Sequence, residues 1–402
     1  MTKKQLLISL LLMIALAVTV AACGGAAAPA PAPAEEKAPA QEEAAPAEEA
    51  AAEEAPAQES GEAAMSDRCG DPAQLSEEVY MFNWSDYIDE EIFTLFEEEC
   101  GVKVIQDQFS SNEDMIAKVQ AGNSGYDIVV PSDYAVEIMI DQGLLAELDK
   151  DNIPNIANMK PETMGMFFDP ENKYSLPYQW GTTGLAYNVT AFPDGPPDSW
   201  AAIFEPDQVC KNSGFVSMLD DERESIGAAL KYLGYSYNDT DPAHQEEAKT
   251  LLLGQKDCLA GYNSDNFNQT LAAEEVMLAH AWSGGTALAR DENENIAFVI
   301  PKEGGAIWQD NLAIPVDAPH KYTAEVFINY LLEADIGAMI TNYNYYFTPN
   351  AAAEPLLDEY YANLLKEGGM EVTDDIMSRL EWIQRDDKSI IFSDTWTAVK
   401  AQ

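Results

Sequence analysis

Val79-Tyr80-Met81-Phe82-Asn83 is a short apolar run with the composition of a buried strand. Residues 88–100 follow with Ile92, Phe93 and Phe96 at helical spacing, and Gly101 stands where a helix end favours a residue without a Cβ penalty. Residues 102–109 predict a second strand. Residues 112–120 predict a helix with Asn112 or Ser111 as its N-cap. Tyr126-Asp127-Ile128-Val129-Val130 predicts a third strand, stopped by Pro131, and residues 135–142 another helix. Strand–helix alternation at this pace reads as a parallel, doubly wound α/β sheet. It resumes beyond residue 185, with strands expected at 215–219, 276–282 and 296–301 and helices at 224–233 and 322–333. The alternating region is too long for one compact lobe, so two lobes with a cleft between them are expected. No internal repeat is visible.

The chain has 402 residues, 47% of them hydrophobic and 10% aromatic, a globular composition. Its 70 acidic residues against 22 basic ones give a net charge of −48. Such a surface repels nucleic acid and anionic headgroups, so no nucleic-acid partner is expected; it attracts cations, and it also serves solubility.

Lys3 and Lys4 form a positive leader, and residues 6–20 an apolar segment too short for a comfortable membrane span. Val20-Ala21-Ala22-Cys23-Gly24 resembles the lipobox of bacterial lipoproteins. That resemblance implies a signal peptide over 1–22, cleavage before Cys23, and a diacylglyceryl group on its thiol. The protein is then extracytoplasmic and held to the membrane by this lipid anchor. An ordinary secretory signal is the competing reading. Residues 24–64 are Ala, Pro and Glu with almost no large apolar side chain, which cannot offset chain entropy. Residues 23–70 are expected to be the lipidated Cys and an extended tether, with a helical portion possible around 42–54. The remaining cysteines, Cys69, Cys100, Cys210 and Cys258, suggest two disulfides in an exported protein. Three pairings exist, and proximity favours Cys69–Cys100 and Cys210–Cys258. A metal site is the rival use, but there is no Cys-x-x-Cys and no nearby His cluster, and no metal or cofactor is expected.

In open α/β sheets, ligands bind outside the carboxyl ends of strands. The loops there read Asn83-Trp84-Ser85-Asp86-Tyr87, Pro131-Ser132-Asp133-Tyr134, Asp220-Asp221-Glu222-Arg223-Glu224 and Trp282-Ser283-Gly284, with Trp308-Gln309-Asp310-Asn311 further on. Carboxylates and aromatics recur together. A carboxylate offers an ammonium a charged hydrogen bond worth about 1.5–3 kcal/mol. A Trp or Tyr face is both an apolar wall and a cation-attracting surface worth roughly 0.5–2 kcal/mol. Their pairing describes a slot for an amine with a hydrocarbon body. Each residue also has an ordinary role: Trp84 and Trp308 as core, Asp86 and Asp133 as helix N-caps, Asp220 and Asp221 as a solvated turn, Tyr343, Tyr345 and Tyr346 as packing.

From about Glu77 onward the sequence resembles the bacterial periplasmic spermidine/putrescine-binding proteins. The matching stretches are Asn83-Trp84-Ser85-Asp86-Tyr87, Tyr126-Asp127-Ile128-Val129-Val130-Pro131-Ser132, Leu176-Pro177-Tyr178-Gln179-Trp180-Gly181, Asn263-Ser264-Asp265, Pro301-Lys302-Glu303-Gly304-Gly305 and Phe347-Thr348-Pro349-Asn350-Ala351-Ala352. The resemblance implies a two-lobed periplasmic-binding-protein fold of type II, a flytrap in which each lobe is a doubly wound sheet flanked by helices. Residues 77–182 and 309–354 would form one lobe, 183–308 and 355–402 the other. By motif match, Trp84, Ser85 and Tyr87 line the slot, and Asp86 meets a terminal amine. Ser132 and Tyr134 line the same lobe, while Asp221 and Glu224 meet the ligand from the other side. Ser264 gives a hydrogen bond, Trp282 and Trp308 sandwich the methylene chain, Asp310 binds a central ammonium and Tyr346 adds a wall. Gln384 is a looser match. Putrescine-preferring members carry an Asp where this chain has Gly285, so spermidine is favoured over putrescine. The implied partners are the membrane permease subunits of an ABC importer, with the binding protein itself a monomer and no catalytic residue.

The same fold can bind other cationic solutes or ferric ion, the latter through tyrosines such as Tyr343, Tyr345 and Tyr346. A carboxylate-dependent hydrolase is the alternative of another class. His244, His280 and His320 are far apart and lack zinc-site companions. No P-loop or Gly-x-Ser-x-Gly elbow occurs.

Overall fold

The computed structural model describes residues 67–401. The signal segment, Cys23 and the tether up to residue 66 lie outside them. The strands are β1 (Glu78–Trp84), β2 (Lys103–Phe109), β3 (Ile128–Val129), β4 (Ser175–Asn188), β5 (Val216–Met218), β6 (Gly261–Tyr262), β7 (Leu278–Trp282), β8 (Ile296–Val299), β9 (Gly305–Ala313) and β10 (Leu380–Trp382). Their order is β2-β1-β3-β9-β4-β7-β5-β6, with β8 beside β4 and β10 beside β9.

At one end, β1 pairs in parallel with β2 and β3. At the other, β5 pairs in parallel with β6 and β7. Both groups have the parallel character that strand–helix alternation predicts. Between them β4 and β9 run antiparallel, from Ser175 opposite Ala313 to Thr183 opposite Ala306. The expected boundaries near 182 and 308 therefore fall inside two strands that pass from one half to the other. Sequence periodicity misses both strands for a physical reason. All of β9, and all of β4 except Trp180, is buried, so neither strand has a polar face to alternate with an apolar one. Pro177, Gly181 and Gly184 further interrupt the apolar run of β4.

Helices cover the two halves. In the first, Met81, Ile92, Phe96, Ile128, Met139 and Phe327 share one core. In the second, Trp200, Phe204, Ile226, Leu252 and Phe392 share another. Each such side chain contributes about 1.5–3 kcal/mol by leaving water. Helix Glu91–Cys100 ends at Gly101, whose φ of 70° is the left-handed cap its sequence predicts. Helix Asn112–Gln120 starts at Ser111, whose hydroxyl accepts from Asp114 N at 3.2 Å.

The disulfides are Cys69–Cys100 and Cys210–Cys258, with Cα atoms 5.2 and 5.0 Å apart, the pairing that proximity favours. The first changes the expected tether boundary. Asp67–Cys69 is a helical turn with Cys69 buried, and Arg68 donates to Asp335 at 2.7 Å. Residues 67–70 thus belong to the folded body, because the crosslink and this ion pair hold them there. Among the described residues, no helix is long and apolar enough to cross a membrane.

Candidate functional site

A cleft encloses about 770 Å³ of space, its open mouth included, between the ends of the two strand groups. Of the sequence-predicted binding residues, Trp84, Ser85, Asp86, Tyr87, Ser132, Tyr134, Asp221, Glu224, Ser264, Trp282, Trp308, Asp310 and Tyr346 all line it. They arrive from several separate chain segments. The end of β1 carries Trp84, and the loop after it Ser85 to Tyr87. The start of helix Asp133–Asp141 carries Ser132 and Tyr134, and the start of helix Glu222–Tyr232 carries Asp221 and Glu224. The end of β7 carries Trp282, and the middle of β9 carries Trp308 and Asp310.

Asp310 is only 4% exposed. Its two oxygens accept from Tyr87 Oη and Ser132 Oγ, each at 2.6 Å. Asn112 orients Ser132 in turn, through Nδ2 to its hydroxyl and Oδ1 to its backbone N–H, both at 3.0 Å. Burial pushes the Asp310 carboxyl up to about 7 against the pull of these two donors. Behind it, burial holds Asp133 well above the carboxylate range, and Asp133 Oδ2 has no hydrogen-bond partner.

Glu224 faces the cleft from the other half. Its Oε1 accepts from Thr183 Oγ1 at 2.8 Å and Trp282 Nε1 at 2.9 Å, and its Oε2 from Tyr237 Oη at 2.6 Å. Burial first, then neighbouring Asp221, pushes it up to about 7. Asp221 is the helix N-cap, accepting from the Arg223 and Glu224 amides at 2.9 and 3.0 Å. Ser264 Oγ is buried and without a hydrogen-bond partner. Asp86 has a φ of 52°, a left-handed backbone that Asp tolerates and that accumulates at functional sites. Its Oδ2 accepts from Asn268 Nδ2 at 3.2 Å across the mouth.

The walls are aromatic. Trp84 and Trp282 meet edge-on at 6.0 Å, Trp308 and Tyr346 at 5.4 Å, Tyr87 and Tyr346 at 5.1 Å, and Phe267 and Trp282 at 5.8 Å. Two glycines make room for them. A Cβ on Gly284 would strike the Tyr346 ring, and one on Gly285 the Phe267 ring. Five carboxylates line the cleft and, among the described residues, no Lys or Arg does. The chemistry offered is carboxylate acceptors for ammonium groups and flat faces for methylenes.

The structure separates Gln384 from the others. Its backbone N–H donates to Asn238 Oδ1 at 2.8 Å and its carbonyl accepts from Arg223 Nη2, while neighbouring Ile383 points to the cleft. Those backbone bonds fix the register one residue away from the match. The three tyrosines considered for ferric ion also diverge. Tyr346 lines the cleft, Tyr345 caps helix Ala334–Asn344 and stacks on Tyr361, and Tyr343 is 39% exposed. Sequence reasoning missed Phe109, Asn112, Phe267, Asn268, Leu288 and Ile383, all in the lining. Phe267 and Asn268 continue the polar Asn263-Ser264-Asp265 run, which was a usable signal; the others read as ordinary strand or helix residues.

Residues 91–366 match the family described as bacterial extracellular solute-binding protein. The chain belongs to that family. Its members are solute-binding transport proteins, not enzymes. The chain is 38% identical over 293 residues to the putrescine/cadaverine-binding protein of Pseudomonas aeruginosa, covering 71% of this chain and 83% of that one. It is 37% identical over 329 residues to the spermidine/putrescine-binding periplasmic protein of Salmonella typhimurium, covering 81% and 92%. Among solved structures, a putative spermidine/putrescine ABC transporter protein from Listeria monocytogenes superposes with a TM-score of 0.76 at 35% identity, covering 81% of this chain and 99% of that one. The solute-binding protein described here therefore has the periplasmic-binding-protein fold, and the carboxylate- and aromatic-lined cleft is its candidate site.

Proposed function

We propose that this solute-binding protein captures a polyamine outside the cytoplasm and delivers it to the permease of an ABC importer. Asp310 and Glu224 carry this reading: two buried carboxylates, one from each half, sit in a cleft walled by Trp84, Tyr87, Trp282, Trp308 and Tyr346. Each is held by neutral donors only, which position it without neutralising it. An alkyl chain bearing two or more ammonium groups supplies the missing charge and fills the space between the rings. The names of the relatives, which bind spermidine, putrescine or cadaverine, support the same solute class.

Within that class spermidine is the favoured solute. Gly285 offers no carboxylate, and Phe267 occupies the space a side chain there would need. Asp86 and Ser85 bind the terminal amine from the first half; Asp221, Glu224 and Ser264 bind from the second. Capture works by closure, because only the closed cleft presents both sets of contacts to one ligand. The lipobox resemblance supports attachment of the monomeric protein to the membrane through Cys23.

Isothermal titration of the purified protein with spermidine and then putrescine tests this. The expectation is 1:1 binding at micromolar Kd or tighter, about −8 kcal/mol or better, with spermidine the tighter of the two. No heat with either, and no rise in Tm, refutes the solute class; tighter putrescine refutes the selectivity alone.

A further inference from the structure

Two elements of the cleft have one end at the site and the other in an ion pair outside it. Helix Asp133–Asp141 starts at Ser132 and Tyr134, which line the cleft, and carries half-buried Glu137 at its middle and exposed Asp141 at its end. The segment after β10 puts Ile383 in the cleft lining and Arg385 two residues beyond. Arg385 Nη2 pairs with Asp141 Oδ2, and its Nε lies 3.7 Å from Glu137 Oε1. The ion pair thus joins the second half of the molecule to the first.

A second arginine lies on the same seam. Arg223 donates to the Gln384 carbonyl, and its guanidinium packs over Tyr134 at 5.1 Å and Phe392 at 4.1 Å. Positive charge is scarce in a chain of net charge −48. It is needed here, because Glu113 of the first half faces Asp221 and Glu222 of the second; burial and those two carboxylates push Glu113 up to about 8. Bringing the halves together therefore gathers like charges; Arg223 opposes the repulsion at Asp221 and Glu222, and Arg385 opposes that between Glu137 and Asp141.

We propose that Arg385 is a positioning residue for capture: it latches the second half onto helix Asp133–Asp141 and holds the cleft shut, without touching the solute. This rests on the capture function proposed above, with spermidine as the probe. Arg385 is half-buried, its side chain 22% exposed, so Asp141→Asn, at a side chain 57% exposed, guards against a folding defect in Arg385→Ala. The dissociation rate of spermidine, read by stopped-flow Trp fluorescence, should rise roughly two- to fivefold, the scale of a partly exposed paired charge, with little change in association rate. Arg385→Lys should recover only part, since an ammonium cannot hold both carboxylates in a fork. Asp141→Asn should repeat the loss, and the exchange Asp141→Arg with Arg385→Asp should restore it.

A solute-free readout separates the latch from the ligand. With spin labels at exposed Lys118 and Thr250, one in each half, Arg385→Ala should shift the distance distribution towards longer values. An unchanged distribution overturns the latch, even if dissociation is faster, because the effect is then local. Failure of the wild-type protein to bind spermidine refutes the solute class while the distance measurement still judges the latch.

Discussion

Replacing Asp310 by Asn should weaken spermidine binding while making the empty protein more stable above neutral pH. The carboxylate is buried and held only by the hydroxyls of Tyr87 and Ser132, so an ammonium is the charge partner it lacks. Losing one charged hydrogen bond costs about 1.5–3 kcal/mol, roughly ten- to 150-fold in Kd. The cost should depend on pH. Asp310 titrates at about 7 in the folded protein, so binding a cation at pH 6 must first remove its proton. That step costs about 1.4 kcal/mol at pH 6 and almost nothing at pH 8, roughly a tenfold gain in affinity over the interval. The Asn variant should lose this share of the slope and keep the share due to Glu224, which also titrates at about 7. Stability runs the other way. An exposed Asp loses its proton near pH ~4, so the fold's preference for protonated Asp310 is fully present below that and lost as pH rises through 7. The neutral amide has no such loss, and its Tm should exceed that of the wild type at pH 8. Calorimetric titrations at pH 6, 7 and 8, in buffers of different ionisation enthalpy to count released protons, read the binding side; thermal melts read the other. Unchanged affinity at pH 8, or an unchanged proton count, refutes the role assigned to Asp310.

Trp308→Ala should cost affinity and shrink the ligand-induced change in Trp fluorescence, because the ring lies in the cleft with Nε1 tied to Thr183 Oγ1 at 3.0 Å; titration with fluorescence detection checks both. His280 is buried with neither ring nitrogen hydrogen-bonded, and burial lowers it to about 3. It stabilises the fold fully above about pH 6.5, and that contribution is lost as pH falls towards 3. His280→Leu should therefore flatten the fall in unfolding free energy between pH 6.5 and 4, measured by urea melts. Removing Cys210–Cys258 by paired Ala substitutions opens a loop spanning 48 positions and should lower stability by about 2–4 kcal/mol, seen in denaturant midpoints, with spermidine affinity unchanged because neither Cys lines the cleft.

The first strand–helix units were legible because their strands include short apolar runs, at 79–82 and 128–130, and their helices carry a buried apolar stripe and recognisable end signals. Helix Asn112–Gln120 lies where its sequence places it, with Ser111 as the cap. The central pair β4 and β9 was not, since burial on both faces removes the alternation that marks a strand. At the site, strand-end loops rich in Asp and Trp were readable as a group, and thirteen of the fourteen residues proposed from sequence line one cleft. Gln384 lies one residue from the lining, where Asn238 and Arg223 hold its backbone and Ile383 turns inward. The shell that tunes the carboxylates was invisible in the sequence. Thr183, Tyr237 and Asn112 act only through contacts between segments distant in the chain, 41 residues apart for Thr183 and Glu224.

A crystal structure of the protein grown with spermidine tests the central claim most directly. The account predicts ammonium nitrogens within hydrogen-bond distance of Asp310 and Glu224, with the methylene chain between the rings of Trp84, Trp282 and Trp308. Spermidine bound elsewhere, or a cleft that stays free of it at saturating concentration, would contradict it.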